Sequence, residues 1–405
     1  MAIVDMRRLW DLDPDVVFLN HGSYGACPRP VLDHQTKLRR HLERRPVQFL
    51  SYDLEALLDA ARNALATFVS ADPAGVAFVT NATTALNAIV GSMRFHPGDE
   101  IVITDHGYNA CRNVVDHAAG RSGAVVRTAS VPFTGLTPDA ACEAVLAAVG
   151  ARTRLVIVDH VTSPTALVLP VARIAAELEP RSVPLLIDGA HGPGMLPVDI
   201  AAIGASYYVG NCHKWMCAPK GSGFLYAAAG ARNELTPTVI SHGLNSPRTD
   251  RSRFHLLFDW TGTTDPTAHL SVPRALEVMG SLFPGGWDEL RRQNRALALQ
   301  GRRIVADAIG AGDLPGDDMV GSMAAISLAP LRVASNGRDR DPLTLLLRDQ
   351  YRIEVPVSPW PQAPGRVLRL SAQAYNRVED YERLAAALAA EGVRAAPCPS
   401  ARHGR

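Results

Sequence analysis

The chain has 405 residues, 47% of them hydrophobic and 20% charged, and its 41 basic and 40 acidic residues give a formal net charge of +1 at pH 7. This balance creates no overall field that would draw the protein to nucleic acid or to an anionic membrane. No uninterrupted apolar run reaches the ~18 residues that a membrane-spanning helix needs. The N-terminal segment lacks the apolar core of a secretory signal, so the sequence predicts a cytoplasmic protein.

The seven strand-like runs of the first two-thirds of the chain alternate with helix-like stretches. Before them, apolar residues recur at helical spacing between residues 53 and 69. The runs are VAFVT (76–80), EIVIT (100–104), AVVRTASV (124–131), RLVIVDH (154–160), VPLLIDG (183–189), SYYVGN (206–211) and GFLYA (223–227). The alternation predicts an α/β fold with a mostly parallel seven-stranded sheet covered on both faces. The last two runs are closer together, which leaves room for one antiparallel strand.

The pattern changes after about residue 267. A long helix-like stretch leads to the short strand-like runs AAISLAP, IEVPVS and VLRLSAQ and then to a final helix. These features predict a smaller C-terminal α+β domain. We therefore expect an N-terminal segment (1–20) packing near the small domain, a large α/β domain (21–266), the small domain (267–392) and a flexible tail (393–405).

The spacing of the cysteines and the small number of lysines limit the chemistry that the protein can perform. The six cysteines are scattered without a CxxC pair, so they predict neither a disulfide framework nor a zinc site. Arginine outnumbers lysine by 38 to three, and the lysines are Lys37, Lys214 and Lys220. Lysine, unlike arginine, loses its proton readily when buried and can form a Schiff base. Each of the three is therefore a candidate for covalent chemistry.

The residues that follow the predicted strands are the candidates for a site, because ligands of α/β sheets bind beyond the carboxyl ends of the strands. They are residues 81–84, 105–109, 159–164, 188–192 and 211–215. A plain helix cap or structural carboxylate would explain any one of them. Together they supply a phosphate-binding helix start, a ring-stacking His or Tyr, a carboxylate and a lysine amine. Those are the four parts of a pyridoxal phosphate (PLP) site. No G-x-G-x-x-G follows a strand and no Walker lysine is present, which argues against a nucleotide-binding protein.

The order of these motifs resembles that of the class V aminotransferase family of fold-type I PLP enzymes, especially its branch of isopenicillin N epimerase-like proteins and cysteine-conjugate C–S lyases. The resemblance spans about residues 17–390. It rests on the blocks FLNHGSYGACPRPVL (18–32), NATTALN (81–87), DHVTSPTALVLPV (159–171), IDGAHGPG (187–194), GNCHKW (210–215), DWTGTTDP (259–266) and VLRLSAQAYN (367–376). It implies PLP as the cofactor, an amino acid as the substrate, and a homodimer.

The resemblance also implies roles for residues around the cofactor. Lys214 is similar to the lysine that forms the Schiff base and acts as the base at Cα. Asp188 is similar to the partner of the pyridine N–H, and His191 to the residue near the ring hydroxyl. The implied phosphate site consists of Ala82, Thr83, Asn211 and His213, with Gly262 and Thr263 similar to the pair that reaches it from the partner subunit.

Further implied roles concern the ring face and the substrate. Tyr108 aligns with the residue that stacks on the cofactor ring, and His106 is close enough to be an alternative. Arg369 resembles the clamp on the substrate carboxylate, a task that suits the bidentate guanidinium group. Asn20, in the N-terminal loop, is expected to face the substrate.

Several reactions remain open once the substrate amine has joined the cofactor. They are β-elimination of sulfur, epimerisation, loss of the carboxylate, and transamination. Epimerisation needs a second acid, for which Tyr108, His106 or a cysteine are weak candidates, so we favour a C–S lyase of secondary metabolism and keep the epimerase as the main alternative. A cysteine desulfurase of this family needs a nucleophilic cysteine in the small domain, and no cysteine lies between Cys217 and Cys398. A protein that binds PLP without catalysing is disfavoured by the intact lysine, aspartate and arginine.

Overall fold

The computed structural model describes residues 6–330 and 341–396. The α-helices are α1 (His21–Tyr24), α2 (Arg29–Arg44), α3 (Pro46–Gln48), α4 (Leu54–Phe68), α5 (Ala82–Ser92), α6 (Asn109–Ser122), α7 (Pro138–Ala147), α8 (Val171–Leu178), α9 (Ile200–Ile203), α10 (Arg253–Phe258), α11 (Thr267–Leu270), α12 (Val272–Gly280), α13 (Gly286–Ile309), α14 (Pro342–Tyr351) and α15 (Val378–Ala390). The strands are β1 (Val17–Phe18), β2 (Val76–Val79), β3 (Glu100–Thr104), β4 (Val125–Ala129), β5 (Thr153–Asp159), β6 (Leu185–Gly189), β7 (Tyr207–Asn211), β8 (Gly223–Ala227), β9 (Met323–Leu328), β10 (Ile353–Glu354), β11 (Val357–Pro359) and β12 (Arg366–Ser371).

The largest sheet among the described residues has seven strands in the order β2-β8-β7-β6-β5-β3-β4. Every neighbouring pair is parallel except those that include β8, which runs antiparallel to both β2 and β7. The mostly parallel sheet that the sequence predicts is therefore confirmed. The antiparallel strand is β8, which follows β7 through a connection too short to hold a crossover helix.

The sheet is buried on both faces because successive strand residues point to opposite sides. On β5, Val156 and Val158 belong to one hydrophobic core, whereas Leu155 and Ile157 belong to the other. The apolar side of α4 contributes to the first core, and α5 contributes to the second. The near-continuous apolar runs in the sequence therefore reflect two-sided burial.

A further core lies around the three-stranded antiparallel sheet β11-β12-β9 and the helices α13 and α15. The strand β1 pairs in parallel with β10, and Val17 and Leu19 are buried in this same core. By contrast, Val272, Ala275 and Val278 of α12 pack into the first core, with α4. The predicted domain boundary at residues 266–267 stays a prediction, and these contacts place α12 on the large-domain side.

The C-terminal end of the described chain is tied to the small core. The N–H groups of Ala395 and Ala396 donate to the carbonyl oxygens of Ile309 and Ser327. Of the tail predicted to be flexible, residues 395 and 396 are thus hydrogen-bonded to α13 and β9, and residues 397–405 lie outside the described residues. Among the described helices, none combines the length and apolar character needed to cross a membrane.

Candidate active site

The carboxyl ends of β5, β6 and β7 lie side by side and bring the predicted site residues together. Asp159 is paired in register with Asp188, and Gly189 with Gly210. The segments that leave these strands carry His191 and residues 211–214. Residues that are far apart in the sequence therefore meet at one edge of the sheet, as parallel strands require.

Lys214 lies in the turn after β7, with its amine beside His191. Its Nζ lies 3.1 Å from Nε2 of His191, and the indole N–H of Trp215 donates to Nδ1 of the same ring at 3.3 Å. Burial holds the pKa of His191 well below its usual value. Since an indole can only donate, the neutral ring carries its proton on Nε2, and the Lys214 amine accepts it only in its neutral form. Burial and the nearby Arg369 guanidinium lower the pKa of the Lys214 amine to about 8.

The lowered pKa predicts unusual reactivity for Lys214 in the cofactor-free chain. Labelling with an amine-specific reagent should speed up as the pH rises through about 8, because only the neutral amine reacts. Quantitative mass spectrometry of the labelled peptides measures this midpoint, and the exposed Lys37 on α2 serves as the internal reference. A midpoint for Lys214 at or above that of Lys37 would contradict the assignment.

Asp188, on β6, presents a buried carboxylate held by two donors. Its Oδ1 accepts from the N–H of Ala190 and its Oδ2 from the thiol of Cys111, both at 3.0 Å. Burial and the charge of Asp188 raise the pKa of Cys111 well above its usual value, so the thiol keeps its proton. Burial and the same charge raise the pKa of Asp159 well above the ordinary carboxyl range.

The start of α5 and the end of β7 form the predicted phosphate site. The N–H of Ala82 donates to Oδ1 of Asn211 at 2.9 Å, and Thr83 follows in the first turn of the helix. The Ala82 N–H is therefore already used within the protein. Because the carbonyl oxygen of Asn211 takes that hydrogen bond, its NH₂ group is the part left to donate to an anion.

His213 completes this group of residues. Its Nδ1 lies 2.8 Å from the carbonyl oxygen of Ser222, to which it donates, so Nε2 is the nitrogen available to a ligand. Burial lowers the pKa of His213 to about 4, and the ring is neutral in the chain alone. An anion beside Nε2 would favour the protonated ring, since a neighbouring negative charge raises the pKa of a histidine. His213 thus fits a phosphate site through its Nε2.

Gly262 lines a cavity together with Thr80 and Thr84, which lie at the start of α5. Thr263 is exposed, and Gly262 has a positive φ of 125°. Within residues 6–330 and 341–396, no hydrogen bond joins Thr263 to Ala82, Asn211 or His213. The predicted role of the pair, in a partner subunit's phosphate site, stays a prediction.

Tyr108 and His106 occupy different environments, although both follow β3. His106 is fully buried, with Nε2 donating to the carbonyl oxygen of Val131 and Nδ1 facing Oγ1 of Thr165, each at 2.7 Å. Tyr108 is 46% exposed. Its pKa is raised by burial and by the nearby Cys111. Of the two candidates for stacking on a ring, Tyr108 is the one whose side chain is free to do so.

Arg369 reaches the site from β12. Its Nη1 donates to the carbonyl oxygen of Ser163 at 2.6 Å, and its Nη2 to Oγ of Ser23 at 2.8 Å and to Oδ1 of Asn20 at 3.2 Å. Burial lowers the pKa of Arg369 to about 10, which leaves the guanidinium charged at neutral pH. Asn20 thus lies next to the predicted substrate clamp and helps to hold it in place.

The N-terminal loop, residues 20–25, packs against the segment that carries Lys214. Nε2 of His21 lies 3.0 Å from the carbonyl oxygen of Lys214, and Nδ1 lies 2.7 Å from the hydroxyl of Tyr375. Gly25 adopts a φ of 69°, and a Cβ there would clash with the carbonyl oxygen of His213. Only glycine combines this left-handed conformation with so close an approach. The loop therefore packs directly on the segment that carries the lysine.

The described residues fit PLP. Lys214 offers an amine of lowered pKa, and Asp188 offers a buried carboxylate for a protonated ring nitrogen. Asn211 and His213 offer polar groups beside a helix start, where backbone N–H groups favour an anion. A nucleotide or metal site would not explain why an amine, a carboxylate and a buried arginine converge here.

Sequence reasoning assigned no role to three of the residues that organise this site. Cys111 lies three positions after Tyr108, which puts both on one side of α6 near its start. Ser163 belongs to the segment after β5, and Ser23 lies within the N-terminal motif. The sequence shows where these three residues stand in the chain. It does not show that Cys111 contacts Asp188, or that Ser163 and Ser23 contact Arg369.

Comparisons with known proteins agree with this geometry. The aminotransferase class V family matches residues 24–281. An isopenicillin N epimerase of Streptomyces clavuligerus is 37% identical over 403 residues, which cover 96% of this chain and 98% of that protein. A probable chloroplastic L-cysteine desulfhydrase of Arabidopsis thaliana is 29% identical over 396 residues, which cover 92% of this chain and 82% of that protein.

Among solved structures, a mutant of C-DES with glycine covalently linked to its PLP cofactor superposes with a TM-score of 0.77. The match covers 95% of this chain and 98% of that one at 22% identity, and it shows a shared fold. The family match extends over more than half of the chain and includes the lysine, the aspartate and the start of α5. The chain therefore belongs to the class V aminotransferase family of fold-type I enzymes, and its cofactor is pyridoxal phosphate.

Proposed function

We propose that the protein removes the Cα proton of an amino-acid substrate and then cleaves a Cβ–S bond, as a C–S β-lyase acting on a cysteine S-conjugate. The observation that carries the proposal is the convergence of Lys214, Asp188 and Arg369 at one end of the sheet. When bound, PLP supplies a conjugated ring that accepts the electron pair of a broken Cα bond. The protein's task is to orient the substrate and to move protons around it.

Each of the three residues has a defined task in this proposal. Arg369, fixed by Ser23 and Ser163, binds the substrate carboxylate. Asp188 holds a proton on the ring nitrogen with its ionised carboxylate. The Lys214 amine, with a pKa of about 8, takes the proton from Cα.

Tyr108 can serve as the acid that the elimination requires, and the same group could serve an epimerisation. Its raised pKa keeps the phenol protonated at neutral pH, which suits an acid. His106, the basic alternative, has both ring nitrogens engaged elsewhere. In the elimination, Lys214 takes the Cα proton, the Cβ–S bond breaks with its electron pair on sulfur, and the sulfur gains a proton for which Tyr108 is the donor. Water then converts the remaining fragment to pyruvate and ammonia.

Incubation with S-alkyl cysteines tests this reaction directly. We expect thiol and pyruvate in equal amounts, each measured over time with the holoenzyme. The same incubation in D₂O with recovered substrate reports on proton exchange at Cα. Exchange without any thiol or pyruvate, across S-substituents of different size, would refute the lyase.

Epimerisation is the second candidate, and the 37% identical epimerase of Streptomyces clavuligerus is the observation that favours it. It predicts inversion at Cα together with deuterium incorporation, which chiral chromatography and mass spectrometry would detect. A keto acid without thiol would instead indicate transamination, and release of CO₂ would indicate decarboxylation.

Replacing Arg369 with alanine should weaken substrate binding far more than cofactor binding. Loss of charge-assisted hydrogen bonds of about 1.5–3 kcal/mol predicts a rise in KM of about 10–100-fold. Steady-state kinetics measures this change, and the absorbance of bound cofactor should stay the same. Arg369→Lys keeps the charge and is the matched control. Loss of cofactor with an unchanged KM would refute the assignment.

We also propose that the protein is a homodimer. Exposed apolar side chains support this, namely Val47, Tyr52, Val239, Ile240 and Leu244. The exposed Thr263 is then available to complete the phosphate site of the partner subunit. Light scattering should give twice the chain mass of 43.4 kDa. A fully active monomer would refute both statements.

A further inference from the structure

A cavity of about 850 Å³ opens beside the proposed active site, and part of its wall consists of residues with no role described above. Arg369 and Tyr108 line it on the side of the site. The start of α6, including Arg112, and the loop that carries Trp360 and Gln362 line it as well. Its volume lies in the range of pockets that enclose whole small-molecule ligands. The side chain of cysteine would fill only a small part of it.

Arg112 is the feature of this cavity that points to a ligand. It lies in α6, one turn after Tyr108, and its Nη2 donates to the carbonyl oxygen of Thr104 at 3.2 Å. None of the ion pairs of the described residues includes Arg112. By contrast, the buried Arg366 has a carboxylate partner, Asp341, at 2.6 Å. A guanidinium with most of its five donors unassigned, on the wall of a cavity, is suited to bind an anion.

The acidic group in the same cavity does not neutralise Arg112. Asp105 also lines the cavity, but its Oδ1 accepts from the N–H of Val131 and its Oδ2 from Oγ of Ser130, both at 3.0 Å. Its nearest charged or titratable partner is His106, whose Nε2 lies 3.7 Å from Oδ1. Both carboxylate oxygens of Asp105 thus accept hydrogen bonds from the segment after β4.

We propose that this cavity holds the side chain of the substrate and that Arg112 binds a carboxylate at the far end of that side chain. The substrate is then an amino acid with two anionic ends, one held by Arg369 at the reacting carbon and the other held by Arg112. Under the proposed function, it is a cysteine S-conjugate whose sulfur substituent ends in an acid. The inference rests on that function only in taking Arg369 as the clamp on the α-carboxylate.

A matched series of S-substituted cysteines tests the proposal on the holoenzyme. The series consists of S-carboxyalkyl cysteines with one to four methylene groups, each paired with the corresponding neutral amide. Binding is followed by the change in cofactor absorbance when the amino acid is added, so that no turnover is needed. We expect the acid to bind at least 10-fold more tightly than its amide at one chain length, since a charge-assisted hydrogen bond is lost in the amide.

Two variants of Arg112 separate binding from a structural role. Arg112→Gln keeps an N–H donor for Thr104 but removes the charge, and it should abolish the preference for the acid while leaving the amide's affinity within about 2-fold. Arg112→Lys should retain part of the preference. Equal binding of acid and amide by the natural protein, or an equal loss for both in Arg112→Gln, would overturn the proposal.

The outcomes also distinguish this proposal from the proposed reaction. A preference for the acid without release of thiol would refute the lyase and support the distal site. Release of thiol without any preference would support the lyase and refute the distal site. If no cysteine derivative changed the cofactor absorbance, both proposals would be wrong.

Discussion

Replacing Lys214 with alanine is expected to abolish turnover and to remove the covalent link to the cofactor. A positioned general base accounts for about 10²–10⁴-fold in rate, and Lys214 is proposed to serve as that base and as the point of attachment. The measurement is borohydride reduction of the holoenzyme, followed by digestion and mass spectrometry. In the natural protein, a pyridoxyl group should appear on the peptide that contains residue 214, and in the variant it should be absent.

Lys37→Ala is the matched control for this experiment. It removes one of only three lysines, from an exposed position on α2, and should leave both rate and labelling unchanged. A pyridoxyl adduct on Lys37 or Lys220 in the natural protein would contradict the assignment of Lys214. Cofactor retained by the Lys214→Ala variant without reducible attachment would be consistent with it, since the remaining contacts of the site are intact.

The second large effect is expected for Asp188→Asn. The amide keeps the shape of the side chain but loses the charge that holds a proton on the ring nitrogen. Removal of one preorganised electrostatic partner typically costs about 10²–10³-fold in kcat, and we expect a loss in this range. Rate measurements at saturating cofactor, with the absorption spectrum recorded in parallel, check this. The spectrum should change along with the rate.

Asp199→Asn provides the same chemical change away from the site. Asp199 is exposed and caps α9 by accepting from the N–H of Ala202, a role that asparagine also fills well. This variant should therefore keep the natural rate and spectrum. An Asp188→Asn variant as active as Asp199→Asn would exclude a role for Asp188 in holding the ring proton.

The sheet was predictable from sequence because its strands are buried on both faces and alternate with helices. Each of the seven apolar runs forms one strand of the sheet. The short connection after β7 indicated that β8 could be antiparallel to it. Position 188 could be assigned to a strand end for the same reason. Strand ends in a parallel sheet are brought together by the topology alone.

Side-chain orientation was not predictable in this way. His106 and Tyr108 are two residues apart, and sequence left them as alternatives for stacking on the ring. The structure separates them, because His106 is turned into the protein by Val131 and Thr165. The groups that donate hydrogen bonds to Asp188 could not be predicted from sequence either. The thiol of Cys111 lies 77 residues away in the sequence, and such a contact depends on how α6 docks on the sheet.

The pairing of β1 with β10 has a consequence for how the protein is made. His21 is joined to Tyr375 across 354 residues, and the same loop covers the segment of Lys214. During synthesis the N-terminal loop leaves the ribosome first, whereas β10 and Tyr375 emerge near the end. Domains generally fold as units during synthesis. Val17 and Phe18 therefore gain their strand partner, and His21 its contact with Tyr375, only when translation is almost complete.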